Sequence, residues 1–173
     1  MSGLFQTLYG YHTWANRDLF DKLAELDPEN HQAQLRTALR LLNHAYVVTR
    51  IFAAHLTGTT HGYASDNTEQ TPSLTELRLA TAASDRWYQD YVPRLTTAQL
   101  SEPVRFAFTD GDQGCMSREE MLMHVALHSG AHRAEVDRIL WQLGVMPPWD
   151  TVAVYLHQTQ PSRRQGLIDA AAA

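Results

Sequence analysis

Apolar residues recur with a helical period along most of the chain, and the places where that period lapses divide it into elements. Leu4, Leu8, Ala15, Leu19, Leu23 and Leu26, with Phe5 and Phe20 beside them, mark one face of a first helix over about 3–26. Asp27-Pro28 ends it, because proline pushes the residue before it out of the helical region. Leu35, Ala38, Leu41, Leu42, Ala45, Val48, Phe52 and Leu56 carry a second helix over about 31–57, with Gly58 placed as its terminating residue. The polar stretch 59–72 is too long for a tight turn and reads as a crossover or a lid. Ser73 and Glu76 then form a capping box that opens a third helix through Leu74, Leu77, Ala80, Ala83, Trp87 and Tyr91, stopped by Pro93.

From there the period changes. Val104, Phe106 and Phe108 alternate with Arg105 and Ala107, and the turn chemistry of Thr109–Gly114 follows. The pattern predicts a small hairpin of Val104–Thr109 and Gln113–Met116, which must pack on helices to be stable. A second capping box, Ser117 with Glu120, launches a fourth helix that runs to Leu143 and closes at Gly144. Val145–Tyr155, containing Pro147-Pro148-Trp149, reads as an extended arm, and residues 161–173 as a flexible tail. The expected fold is all-α: a four-helix bundle with a long crossover between the second and third helices and a β-hairpin insertion before the fourth. Residues 1–160 would form one domain.

Composition narrows the function classes. A chain of 173 residues can bury a core without disulfides or a structural metal. Fourteen basic and nineteen acidic residues give a net charge of −5 with no basic cluster, so nucleic acid is not an expected partner. The single cysteine, Cys115, excludes an intrachain disulfide and fits a reducing compartment; it reads as a small buried side chain. The N-terminal segment has no basic stretch leading into an apolar core, and no apolar run reaches membrane-spanning length. A cytoplasmic protein without a membrane partner is expected.

The chemistry of the chain lies in its histidines. His124, His128 and His132 recur every four residues within the apolar stripe of the fourth helix, which turns them towards the interior. His128 and His132 stand roughly 6 Å apart along the axis and about 40° apart in projection, close enough to share one ion. Two inward-facing imidazoles need two satisfied sets of nitrogens, and a metal accounts for them better than two unrelated core histidines do. His124 alone reads as a core residue. A third ligand from the second helix would be His44 or His55. These lie on one flank roughly 16 Å apart and cannot share an ion; His44 is the more central. His12, among Tyr9, Tyr11 and Trp14, reads as a packing or hydrogen-bonding residue, and His61 as a solvated loop residue.

With these residues in place, the chain resembles the DinB-like family of helical-bundle metalloproteins. The likeness rests on Tyr11-His-Thr-Trp-Ala-Asn16, Leu42-Asn-His44 and His128-Ser-Gly-Ala-His132-Arg133. Leu143-Gly-Val-Met-Pro-Pro148 and Val154-Tyr-Leu156 add to it. The resemblance implies a bundle whose second and third helices run in the same direction, and a metal triad of His44, His128 and His132. The family often continues its last histidine with Arg-Gly-Gln, where this chain has Arg133-Ala-Glu135, so Glu135 brings a carboxylate close to the site.

Three imidazoles suit zinc or nickel first, then iron or copper, and leave open positions on any of them. The resemblance further implies a metal-dependent transferase that activates a low-molecular-weight thiol, or water, at the triad. His124 and Glu135 are general-base candidates by proximity. The alternative is a non-catalytic, stress-associated protein whose ion stabilises the bundle. Relatives often pair, and the aromatic-rich first helix offers a face for a homodimer.

Overall fold

The computed structural model describes residues 2–163. It is mostly helical with one small sheet, in the order α1 (Ser2–Ala24), α2 (Gln32–Thr57), α3 (Leu74–Tyr91), α4 (Thr97–Leu100), β1 (Pro103–Ala107), β2 (Gln113–Ser117), α5 (Arg118–Gln142) and α6 (Val152–Thr159). No described helix is long and apolar enough to cross a membrane.

The start signals act as expected. At Ser73 and at Ser117 the hydroxyl accepts from the backbone N–H three residues on, and the carboxylate of Glu76 or Glu120 accepts from the N-cap N–H. Each cap is worth about 1 kcal/mol because it satisfies donors the helix leaves free. Gly58 adopts φ 67° and closes α2, with its N–H reaching the His55 carbonyl.

Two elements differ from the sequence expectation. Thr96 and Gln99 form a third capping box, which opens the short helix α4 between α3 and the hairpin. The expected extended arm is extended only to Thr151; from Val152 the chain is helical, capped by the Thr151 hydroxyl, which accepts from the Val154 N–H. The apolar run after the diproline therefore docks as a helix, with Tyr155 against Tyr11 and Trp14 of α1. The expected flexible tail falls largely on residues 164–173, outside the described residues.

The hairpin is antiparallel, pairing Arg105 with Cys115 and Phe106 with Gly114. Phe106 turns into the core, and a Cβ at position 114 would sit 2.5 Å from its ring, so this pairing requires glycine. On the other face of the strand Cys115 is exposed, which corrects the expectation of a buried thiol.

Among the long helices, α2 packs against α5 and α3, and α1 against α3 and α5. Two apolar clusters result. One gathers Tyr9, Val48, Phe52, Leu56, Tyr88, Phe106, Met121 and Val125. The other gathers Leu19, Leu23, Leu39, Leu42, Leu77, Val136 and Leu140. Each long helix also contributes buried polar residues: His12 and Asn16, Thr49, Ser84 and Asp85, Ser129 and Arg133. Tyr9 and Trp14 are themselves buried, and Tyr11 is bonded to Asp150, so these aromatics of α1 pack within the chain.

Candidate metal centre

His44 projects from α2 towards α5, which supplies His128 and His132. The Nε2 atoms of His44 and His128 are 3.1 Å apart, and those of His128 and His132 are 3.3 Å apart. One ring nitrogen from each of the three falls within 4.8 Å of the others, a grouping that could hold a metal ion. The rings flank the buried stripe of α5 and do not lie on it. That stripe is Met121, Leu122, Val125, Ser129, Val136 and Leu140. The His44 and His132 side chains keep 21% and 19% of their surface, so the cluster has a solvent side.

The protons on two of these rings follow from their partners. His44 Nδ1 lies 2.8 Å from the carbonyl oxygen of Asp66, and His132 Nδ1 lies 2.6 Å from Glu135 Oε2. A carbonyl or a carboxylate only accepts, so both Nδ1 atoms donate, and a ring carrying its proton on Nδ1 presents a bare Nε2 lone pair towards His128. His128 could place one proton between them, but one proton cannot satisfy both neighbours. Burial, then the charges of His132, His44 and His124, push its pKa down to about 4, so the ring is neutral at pH 7. His128 Nδ1 is buried without a hydrogen-bond partner among the described residues. Lone pairs converging at these distances repel unless a cation lies among them, and the donor set therefore fits a divalent transition ion.

The loop that orients His44 is itself pinned. Asn43, fully buried, donates to Asn67 and to the Thr68 hydroxyl, while Arg40 bonds the Thr68 carbonyl and accepts on its own carbonyl from Asn67. These contacts fasten the 59–72 link across α2 and set the Asp66 carbonyl against His44. The link is a fixed strap at this point.

The remaining candidates separate cleanly. His124 stacks near His128 at 5.3 Å and on Phe52 at 4.6 Å, outside the cluster. Burial lowers its pKa. His55 packs on Phe106 and His61, and burial, then the charge of His61, lower its pKa. His61 is half-buried with an enclosed, unpartnered Nδ1, which corrects the expectation of a solvated residue. His12 is 2% exposed and hydrogen-bonded, as its surroundings suggested.

Sequence reasoning missed the partners of His12. Arg133, the residue after His132, is 1% exposed and donates to Asp150, Asn16 and Tyr11, with His12 Nδ1 at 3.4 Å. On the far side of His12, Asp85 lies 3.3 Å from Nε2 and accepts from Asn16. The signal was present: Arg133 follows Ser129 by four residues and precedes Val136 by three, which puts an arginine on the buried stripe and demands a buried carboxylate.

Two comparisons bear on this arrangement. The model of the DinB family matches residues 1–165. Protein DinB of Bacillus subtilis (strain 168) is 25% identical over 171 residues, covering 94% of this chain and 99% of the Bacillus protein.

Proposed function

Since the chain belongs to the DinB family, we propose that it is a divalent-metal-binding protein whose ion is held by His44, His128 and His132. The observation that carries this reading is the convergence of three Nε2 atoms while the Nδ1–H groups of His44 and His132 are committed to oxygen acceptors. Three neutral nitrogen donors suit zinc or nickel first, with iron also in range, and leave coordination positions free. Bound there, the ion supplies Lewis acidity that lowers the pKa of a low-molecular-weight thiol or of water.

The chain's own part is to position and to desolvate. Glu135 and the Asp66 carbonyl hold the outer rings with Nε2 inward, and Glu135 therefore acts through His132. His128 stays unprotonated well below neutrality. The exposed edges of His44 and His132 mark the side from which a substrate approaches. We read the activity as metal-dependent transfer of a thiol to an electrophile. We also read the four long helices as one bundle within residues 1–160, the 59–72 link letting α2 and α3 run in the same direction, in a cytoplasmic protein.

The test is turnover of electrophiles by the metal-loaded chain with low-molecular-weight thiols and in water alone, beside His132→Ala. Product formation that needs the thiol and disappears in the variant supports the transferase. If neither thiol nor water gives turnover, and stripping the metal changes only the melting temperature, the ion is structural and the transferase reading fails.

A further inference from the structure

Arg50 lies six residues beyond His44 and about 240° further round α2, away from the histidine cluster. It lines a cavity of about 310 Å³ with Thr57, Thr60, His61 and Tyr63, closed on the α3 side by Trp87. No acidic side chain lines this cavity, on a chain whose net charge is −5.

Four of the described arginines are not exposed: Arg40, Arg50, Arg118 and Arg133. Arg40 is bonded to the Thr68 carbonyl, Arg118 to Glu102, Tyr91 and the Leu56 carbonyl, and Arg133 to Asp150. Among the described residues Arg50 alone of the four has neither a hydrogen bond nor a carboxylate. Arg50 and Tyr63 line the cavity together, and the positive charge of Arg50 acts on the Tyr63 phenol. His61 likewise has no hydrogen-bond partner there, its ring set edge-on to His55 at 5.4 Å. The hydroxyls of Thr57 and Thr59 donate to backbone carbonyls, which leaves Thr60 as a free hydroxyl donor beside Arg50.

A half-buried guanidinium without a counter-charge is costly, and its planar fork matches an oxyanion in bidentate geometry. We propose that this cavity is a second, metal-independent site for a small organic oxyanion, a carboxylate or a phosphate ester. Arg50 is its charge partner, Thr60 and His61 are further polar contacts, and Tyr63 and Trp87 are walls for the carbon skeleton. The volume lies at the lower end of small-molecule pockets and fits a compact ligand.

The experiment titrates benzoate, phenyl phosphate and inorganic phosphate into the full, isotope-labelled chain, read by amide and indole chemical shifts and by calorimetry. Saturable shifts centred on residues 57–63, Arg50 and Trp87 are expected for at least one organic probe. Arg50→Gln should weaken binding about tenfold or more, with Arg50→Lys between. Thr60→Val, at an exposed position, should weaken it severalfold and keeps the test valid if the Arg50 variants fold poorly. Benzoate binding alone assigns a carboxylate, phenyl phosphate binding alone a phosphate ester. The proposal is overturned by no saturable shift up to about 10 mM, by shifts centred on the histidine cluster, or by affinity unchanged in both Arg50→Gln and Thr60→Val. His132→Ala should leave this binding intact, so failure of the metal reading and failure of this one are separable.

Discussion

His132 and Arg133 are neighbours on one helix and sit in opposite electrostatic situations. Arg133 points into the core, where Asp150, Asn16, Tyr11 and His12 surround its guanidinium. Its network is saturated, and a saturated buried network holds helices in register and has little left to react with. His132 points to the half-buried flank, where its Nε2 meets the Nε2 of His128 and Nδ1 alone has an acceptor. Unspent lone pairs beside solvent are what a ligand set requires. The contrast separates residues that hold the protein together from residues that have chemistry left to do.

The largest expected effect breaks the saturated side. Arg133→Met takes the donor away from Asp150 Oδ2, Asn16 Oδ1 and His12 Nδ1 and leaves the Asp150 charge without its cation. Urea unfolding of the metal-free protein should show a loss of about 3–5 kcal/mol. His132→Ala should behave in the opposite way. The metal-free variant should unfold within about 1 kcal/mol of the parent, while the rise in melting temperature on adding zinc should vanish. If Arg133→Met were benign and His132→Ala unfolded the protein, the assignment of roles would be inverted.

A smaller effect sharpens the picture of how the site is held. Glu135→Gln keeps the shape and removes the carboxylate that His132 donates to, and metal affinity measured by competition with a chelator should fall about 10-fold. Asn43→Ala releases the strap that carries the Asp66 carbonyl and should lower affinity in the same direction. Equal affinity in both variants would show that the rings need no outside support.

The smallest effects are in pH. His128 has a folded pKa of about 4 against an ordinary 6.5, so the unfolded chain binds the extra proton first. Its contribution to the stability of the metal-free protein is therefore full above pH 6.5 and is lost as pH falls towards 4. Asp137 runs the other way. Burial first, then the charge of Asp150, raises its carboxyl to about 6, against an ordinary 3.8. Its contribution is full below pH 3.8 and lost as pH rises through 6. Unfolding across pH 4–7 should show a shallower acid loss in His128→Gln. Asp137→Asn should gain less than about 1 kcal/mol at pH 7, because solvent screens this half-exposed group.

Much of this was legible in the residues. Local signals carried the capping boxes at Ser73 and Ser117, the Gly58 stop and the strand alternation through Phe106, because each depends on neighbours in sequence. Helical spacing put His124, His128 and His132 on one side of the helix, and the family resemblance selected the 128/132 pair over 124/128. His44 could not be told from His55 by period, since both fall on one flank of α2; which of them meets the pair depends on where α5 crosses α2, and only the family resemblance selected His44. Thr96-Thr-Ala-Gln99 carries the residues of a box, but α4, which it opens, is a single turn and too short to show an apolar period. The helix that begins after Thr151 is masked in the residues by the diproline before it, which favours extended chain. Asp150 as the partner of Arg133 and Asp85 as the partner of His12 and Asn16 leave no local signal, because they come from the arm and α3 and meet the others only in the folded core.

The most direct test of the metal site is elemental analysis of the untagged chain purified without added metal, beside His132→Ala. The account predicts a near-stoichiometric transition metal in the parent and its loss from the variant. A metal-free parent that also fails to bind zinc, nickel or iron near neutral pH would contradict it and leave the cluster as three packed histidines.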